Sequence, residues 1–126
     1  MDVTIFYSWQ SDLPPSANRS FILTALERAA KTIHADESIK VEPVIDRDTL
    51  GVPGSPNIAH TILEKIEKSD IFVCDVSIIN PNRTSECRST PNPNVLIELG
   101  YATKALGHER IIMVFINKAP LELTKG

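Results

Sequence analysis

The chain has 126 residues, of which 42% are hydrophobic and 23% charged, and this predicts one globular domain with its own hydrophobic core. Thirteen basic and sixteen acidic residues give a net charge of -3. Without a basic stripe, this balance argues against direct binding to nucleic acid. The sequence shows neither a leader pattern nor an apolar run of membrane length, so we expect a cytoplasmic protein with no membrane partner.

The first third of the chain alternates strand and helix patterns. A short apolar run at residues 3–7 predicts the first strand, and a polar loop follows it to residue 15. Apolar residues recur at helical spacing from residue 18 to about residue 34, which predicts the first helix. Residues 40–45 form a thinner strand pattern that contains Pro43, and a proline inside a strand indicates the edge of a sheet.

The alternation continues after a turn-rich segment at residues 46–56. Ser55 can cap a second helix that starts at Pro56 and runs to residue 68. Residues 71–76 are mostly apolar and predict a buried central strand.

A third helix follows a polar loop at residues 77–90. Asn92 or Asn94 can cap this helix, and Pro93 suits its first turn. A Leu-Gly pair at positions 106 and 107 predicts its end, and residues 110–116 predict a last strand.

The predicted order β-α-β-α-β-α-β is typical of a doubly wound α/β fold with helices on both faces of a parallel sheet. Only ten residues follow position 116, which is too few for a fifth strand and its helix. The chain is therefore either a four-stranded domain or the N-terminal fragment of a longer protein, and we favour the fragment. Such sheets bind ligands at the carboxyl ends of their strands, where the strand order reverses.

Glu98 is the first candidate for chemistry because it lies early in the third helix beside a predicted apolar stripe. The stripe consists of Val95, Leu99, Ala102 and Leu106. Asn94 and Tyr101 share the strip of helix that carries Glu98. A carboxylate is costly to bury beside apolar residues, so we expect Glu98 to open onto a cleft and serve as acid, base, nucleophile or ribose ligand. The alternative is a solvated glutamate stabilised by the helix dipole.

Further candidates follow the first and third strands. Ser8, Trp9 and Gln10 lie directly after the first strand, where Trp9 either stacks on a ring of a ligand or closes the end of the sheet. Asp75 lies at the end of the central strand and either serves the same site or caps the next loop. No metal site is predicted, because the Asp-Arg-Asp triplet at 46–48 has no further oxygen ligands around it and the histidines and cysteines lack ligand spacing.

Four segments resemble the bacterial branch of the Toll/interleukin-1 receptor (TIR)-like domains. They are residues 5–12 (IFYSWQSD), 46–51 (DRDTLG), 69–77 (SDIFVCDVS) and 91–102 (PNPNVLIELGYA). The last segment is the most specific, and together they span nearly the whole chain. The resemblance implies one flavodoxin-like TIR-like domain, and many bacterial members of this family cleave the nicotinamide-ribose bond of NAD in antiphage defence.

The resemblance also implies roles for residues. Glu98 would be the catalytic glutamate, with NAD as substrate and no cofactor. The loop after the first strand would face the substrate. From their positions around Glu98 and the strand ends, the side chains expected to bind the substrate are Ser8, Trp9, Gln10, Asp75, Asn94 and Tyr101. The loop at 46–56 would mediate self-association, with Asp46, Arg47, Asp48, Leu50 and Gly51 at its start. We therefore expect a homo-oligomer when a sensor domain or protein outside this chain activates it.

A second family is similar over part of the same residues. Nucleoside 2-deoxyribosyltransferases share a Ser-Asp-hydrophobic-Asp strand, matched by residues 69–75, and an Asn-x-x-x-Glu-x-Gly-x-Ala helix, matched by residues 94–102. Both families break an N-glycosidic bond with a glutamate on a helix. The leading hypothesis is an NAD glycohydrolase, and the alternatives are a deoxyribosyltransferase-like enzyme and a non-catalytic self-association module.

Overall fold

The computed structural model describes residues 2–47, 56–80 and 86–116. The strands are β1 (Asp2–Ser8), β2 (Glu42–Arg47), β3 (Ile71–Asp75) and β4 (Ile111–Val114), and the helices are α1 (Arg19–Ala35), α2 (Pro56–Lys68) and α3 (Pro93–Leu106). A single 3-10 turn, His108–Arg110, precedes β4. In the described ranges, no helix is both long and apolar enough to cross a membrane.

The four strands are all parallel and lie in the order β2-β1-β3-β4. From β1 the chain first moves outward to β2, and then it crosses back to β3 and continues to β4. Because crossovers are right-handed, this reversal requires α1 on one face of the sheet and the two later helices on the other. The result is the predicted doubly wound, flavodoxin-like α/β arrangement.

Side chains alternate between the two faces of the central strands and build two cores. Phe6 and Phe72 lie in the core beneath α2 and α3, and their parallel rings have centroids 5.9 Å apart. The neighbouring Tyr7 and Val73 lie in the core beneath α1. This alternation is the two-residue period of a strand that is covered on both faces. The centre of the sheet is therefore packed on both faces up to the ends of β1 and β3.

The second strand is displaced from its predicted position. It was expected at residues 40–45, but it runs from Glu42 to Arg47, and Asp46 and Arg47 pair with Phe6 and Tyr7 of β1. The interpretation of these two residues as the start of a loop is therefore wrong, because the ladder with β1 continues past the last apolar residue. Its position at the edge of the sheet is confirmed. The remaining residues of the expected self-association loop, Asp48, Leu50 and Gly51, lie outside the described residues, as does the Ser55 cap.

The third helix agrees closely with its sequence pattern. Asn92 is the cap, and its side-chain oxygen accepts hydrogen bonds from the backbone N–H groups of Asn94 and Val95 at 2.8 and 3.2 Å. Val95 and Ala102 are buried, and Gly107 ends the helix with a φ of 85°. The cap and the buried stripe together fix both the start of α3 and its rotation about its axis.

The fourth strand forms the other edge of the sheet. Ile112 and Met113 point to opposite faces, yet they are 52% and 61% exposed. Within the described ranges, neither face of this strand is therefore fully covered.

Candidate active site

The candidate site lies at the point where the strand order reverses, between β1 and β3. Ser8 is the last residue of β1 and pairs with Cys74, the residue before Asp75 at the end of β3. The first turns of α1 and α3 flank these strand ends, because each helix follows one of the two strands. Parallel sheets bind their ligands at this place.

Ser8 joins the first strand to Glu98 of α3. Its hydroxyl donates a hydrogen bond to Oε1 of Glu98 at 2.8 Å, across 90 positions of sequence. Ser8 is 2% exposed and Glu98 is half-buried. A half-buried carboxylate with one oxygen oriented by a hydroxyl has the placement required of an acid, a base or a nucleophile.

A second contact joins the loop after β1 to the start of α3. The side-chain amide of Asn92 donates to Oδ2 of Asp12. Asn92 is also the cap of α3, so the same residue sets the helix start and holds the loop against it. Both ends of the Ser8 to Asp12 segment are therefore tied to the helix that carries Glu98.

Asp75 is the centre of a buried polar network behind this contact. It is fully buried, and Oδ2 accepts hydrogen bonds from Gln10 Nε2 at 3.0 Å and Asn18 Nδ2 at 3.1 Å. Oδ1 accepts a hydrogen bond from the backbone N–H of Ser77 at 3.0 Å. Three donors offset the cost of removing a carboxylate from water.

The network extends to three more segments of the chain. Gln10 uses its oxygen to accept from the backbone N–H groups of Asp12 and Leu13 at 2.7 and 3.0 Å. The hydroxyl of Ser77 accepts from Asn18 Nδ2 at 3.1 Å and from the backbone N–H of Ile116 at 2.9 Å. The loop after β1, the start of α1, the end of β3 and the residues after β4 are thus held together by buried and partly buried hydrogen bonds.

Trp9 carries a cation on one face of its ring. The guanidinium carbon of Arg19, the first residue of α1, lies 3.9 Å from the ring centroid. Trp9 is partly buried and packs against the core beneath α1. The hydroxyl of Tyr7 donates a hydrogen bond to the carbonyl oxygen of Arg19 at 3.1 Å, and this bond anchors the backbone of Arg19.

Two more predicted substrate ligands, Asn94 and Tyr101, lie on α3 with Glu98. Tyr101 packs on the core beneath α2 and α3, and its hydroxyl donates to Glu67 of α2 at 3.2 Å. Asn94 is exposed on the first turn of α3. Their roles stay predictions, as do those of Glu98 and the other predicted ligands. Gln10 and Asp75 are buried, so any ligand would reach them only through the network around them.

Asn18 and Arg19 are residues of this region that sequence reasoning did not select, and Ser77 was noted there only beside Asp75 at the strand end. Asn18 and Ser77 are fully buried, whereas Arg19 is exposed. The sequence could have indicated two of them. Asn18 is a polar residue directly before an amphipathic helix, and Ser77 is a polar residue directly after a predicted buried strand. The Oδ1 atom of Asn18 has no hydrogen-bond partner in the described structure, although buried acceptors are usually paired.

Cys74 and Cys87 differ sharply in environment. Cys74 is fully buried, and burial, followed by the negative charges of Asp75 and Glu98, raises the pKa of its thiol from 9.0 to about 12. Cys87 is exposed. The described residues contain no group of three or more histidine, cysteine, aspartate or glutamate side chains able to hold a metal ion.

Native protein should therefore react with a thiol reagent at Cys87 alone, because only thiolates attack and Cys74 stays protonated and covered. Mass spectrometry after maleimide treatment should find the label on the peptide containing Cys87. In urea, the Cys74 peptide should be labelled as well. Equal labelling of both cysteines in the native protein would contradict the burial of Cys74.

No protein-family model and no curated protein sequence matches the chain. Among solved structures, the chain is similar to a 2-desoxiribosyltransferase from Leishmania mexicana, with a TM-score of 0.50 and 18% sequence identity. The match covers 97% of this chain and 70% of the other. At this identity the likeness shows a shared fold, and it agrees with the second of the two resemblances. The comparisons give no support to the resemblance to TIR-like domains, which stays a prediction.

Proposed function

We propose that this protein cleaves the N-glycosidic bond of a nucleoside or nucleotide, with Glu98 as the catalytic carboxylate. The observation that carries the proposal is the 2.8 Å hydrogen bond between Ser8 and Glu98 at the reversal point of the sheet. One strand end and one helix thereby hold a carboxylate where parallel sheets bind ligands. The fold shared with a glycosyl-transferring enzyme is consistent with this chemistry.

The chemistry requires an anion close to the anomeric carbon of the sugar. As the bond to the base breaks, the electron pair leaves with the base and positive charge develops on the sugar ring. The Glu98 carboxylate stabilises that charge, and Ser8 orients the carboxylate through its hydroxyl. Capture of the anomeric carbon by a second base gives transfer, whereas capture by water gives hydrolysis.

Deoxyribosyl transfer is the first candidate reaction, because the similar structure is a 2-desoxiribosyltransferase and residues 69–75 and 94–102 resemble that family. NAD glycohydrolysis is the second candidate, because residues 5–12 resemble the TIR-like domains more closely. A 2′-deoxynucleoside with a free second base tests the first reaction, and NAD tests the second. Both assays are read by chromatography of the bases released or exchanged.

The Glu98→Gln variant should lower turnover of the accepted substrate by about 10²- to 10⁴-fold, the usual contribution of a positioned acid, base or anion. Glutamine keeps the size of the side chain and an oxygen for the Ser8 hydroxyl, so we expect a melting temperature close to that of the wild type. Glu109→Gln is the matched control, because Glu109 is exposed on the turn before β4. It should retain wild-type turnover.

Two results would overturn the proposal. The first is equal turnover by Glu98→Gln and Glu109→Gln. The second is a wild-type protein that turns over neither substrate set, even at concentrations at which it self-associates. Assembly without turnover would instead favour the non-catalytic self-association module.

A further inference from the structure

Arg19 and Trp9 place a cation at the start of α1, at the same edge of the sheet as the candidate site. Trp9 follows Ser8 in the chain and packs against the core beneath α1, whereas the hydroxyl of Ser8 contacts Glu98 of α3 on the other face of the sheet. The guanidinium carbon lies 3.9 Å from the indole centroid. The backbone of Arg19 is fixed by the hydroxyl of Tyr7 and by the buried Asn18 that precedes it. The cation is therefore preorganised.

Stacking occupies the face of a guanidinium and leaves its N–H edges available. In the described part of the chain, no carboxylate lies within salt-bridge distance of Arg19, and the residue is exposed. The carboxylates at this edge of the sheet accept hydrogen bonds from other groups. Asp75 accepts three, Asp12 accepts one from Asn92, and Glu98 accepts one from Ser8. The positive charge of Arg19 thus has no described anion to neutralise it.

We propose that Arg19, held on the indole of Trp9, binds a phosphate group of the substrate. This inference rests on the proposed function at Glu98, and it narrows the substrate from nucleosides in general to nucleotides. A planar guanidinium with paired N–H donors matches phosphate oxygens better than any other side chain does. A neutral nucleoside would leave this cation without a counterpart.

The alternative role for the pair is structural. A cation over an indole stabilises a fold modestly whether or not a ligand binds, and it would affect nucleosides and nucleotides alike. The two roles differ in one measurable quantity, which is the ratio of affinities for a nucleotide and its nucleoside.

Binding is measured by calorimetry in the Glu98→Gln background, so that no probe is consumed and activity is not required. The probes are NAD, AMP and 2′-deoxyadenosine 5′-monophosphate, with adenosine and 2′-deoxyadenosine as the neutral partners. Trp9 is the only tryptophan of the chain, so its fluorescence reports independently on events at this place. At least one phosphate-containing probe should bind more tightly than its nucleoside, and added salt should weaken that preference.

The Arg19→Gln variant should weaken nucleotide binding by about 10- to 100-fold, the usual effect of losing a charge-assisted hydrogen bond, and leave nucleoside binding unchanged. Arg19→Lys should recover part of the affinity, because it keeps the charge without the planar fork. Arg28→Gln is the matched control, because Arg28 is exposed on the same helix.

Three outcomes would overturn the inference: equal weakening of nucleoside and nucleotide, a nucleotide preference that survives Arg19→Gln, or failure of every phosphate-containing probe to bind. None of them depends on turnover. An active enzyme that prefers nucleosides would contradict this inference and leave the proposed function intact. A protein that turns over no substrate but binds phosphate through Arg19 would support this inference and contradict the proposed function.

Discussion

Replacing Asp75 with alanine is expected to lower the free energy of unfolding by about 3 kcal/mol, a large fraction of the stability of a domain of this size. The change removes the acceptor for Gln10 Nε2 and for the backbone N–H of Ser77, and both groups are buried at the strand ends. Each unpaired buried donor costs about 1–3 kcal/mol. Relief from burying a carboxylate offsets part of this loss.

Urea denaturation followed by circular dichroism measures the effect, as a lower midpoint with an unchanged slope. Asp2→Ala is the matched control, because Asp2 is exposed at the start of β1, and it should stay within about 0.5 kcal/mol of the wild type. Asp75→Asn keeps the shape of the side chain but turns an NH₂ group toward other donors, so it should also destabilise. If Asp75→Ala and Asp2→Ala unfold at the same urea concentration, the buried network does not hold the strand ends.

The sequence predicted the fold well wherever hydrophobic period and caps agree. The second helix was expected from Pro56 to residue 68 and is found there, and the third begins after a cap at Asn92 as one alternative proposed. The second strand was misplaced because Asp46 and Arg47 are polar. Their pairing with β1 depends on backbone hydrogen bonds with a partner that lies 40 residues away along the chain, and no local pattern reports such pairing.

The candidate site was predictable at the level of topology but less so in its details. Parallel strands bring Ser8 and Asp75 to one edge of the sheet, and the cap at Asn92 directs Glu98 to the same edge. Tyr101 shared a helical strip with Glu98, yet its hydroxyl contacts Glu67. Residues three positions apart on a helix differ by about 60° in direction, and the sequence does not tell which of two adjacent directions faces α2.

The stack of Arg19 on Trp9 had no local signal at all. The two residues are separated by a polar loop that contains two prolines, and their contact depends on the turn that returns the chain to the sheet. In that turn the backbone N–H groups of Ala17 and Asn18 both bond to the carbonyl of Pro14. Contacts of this kind follow from loop geometry, which propensity and periodicity do not specify.

Stability should fall steeply at alkaline pH, because two buried acids hold their protons more tightly in the folded state. Burial raises the pKa of Cys74 from 9.0 to about 12. Burial and the charge of Asp75 raise the pKa of Tyr7 well above its usual 10.0, against an opposing effect of Arg19. The unfolded chain loses these protons first, so the stabilisation is complete below about pH 9 and declines as the pH approaches the folded-state values.

Once the pH exceeds the pKa of a group in the unfolded chain, that group lowers the free energy of unfolding by about 1.4 kcal/mol per pH unit. The two groups together should therefore lower it by about 3–4 kcal/mol between pH 9 and pH 11. Urea midpoints across this range measure the slope. Cys74→Ala and Tyr7→Phe should each make the slope shallower, whatever they do to stability at neutral pH. Cys87→Ala should leave it unchanged, since that thiol is exposed. A slope that Cys74→Ala does not alter would show that the thiol ionises as readily in the folded protein as in the unfolded chain, and that solvent reaches the end of β3.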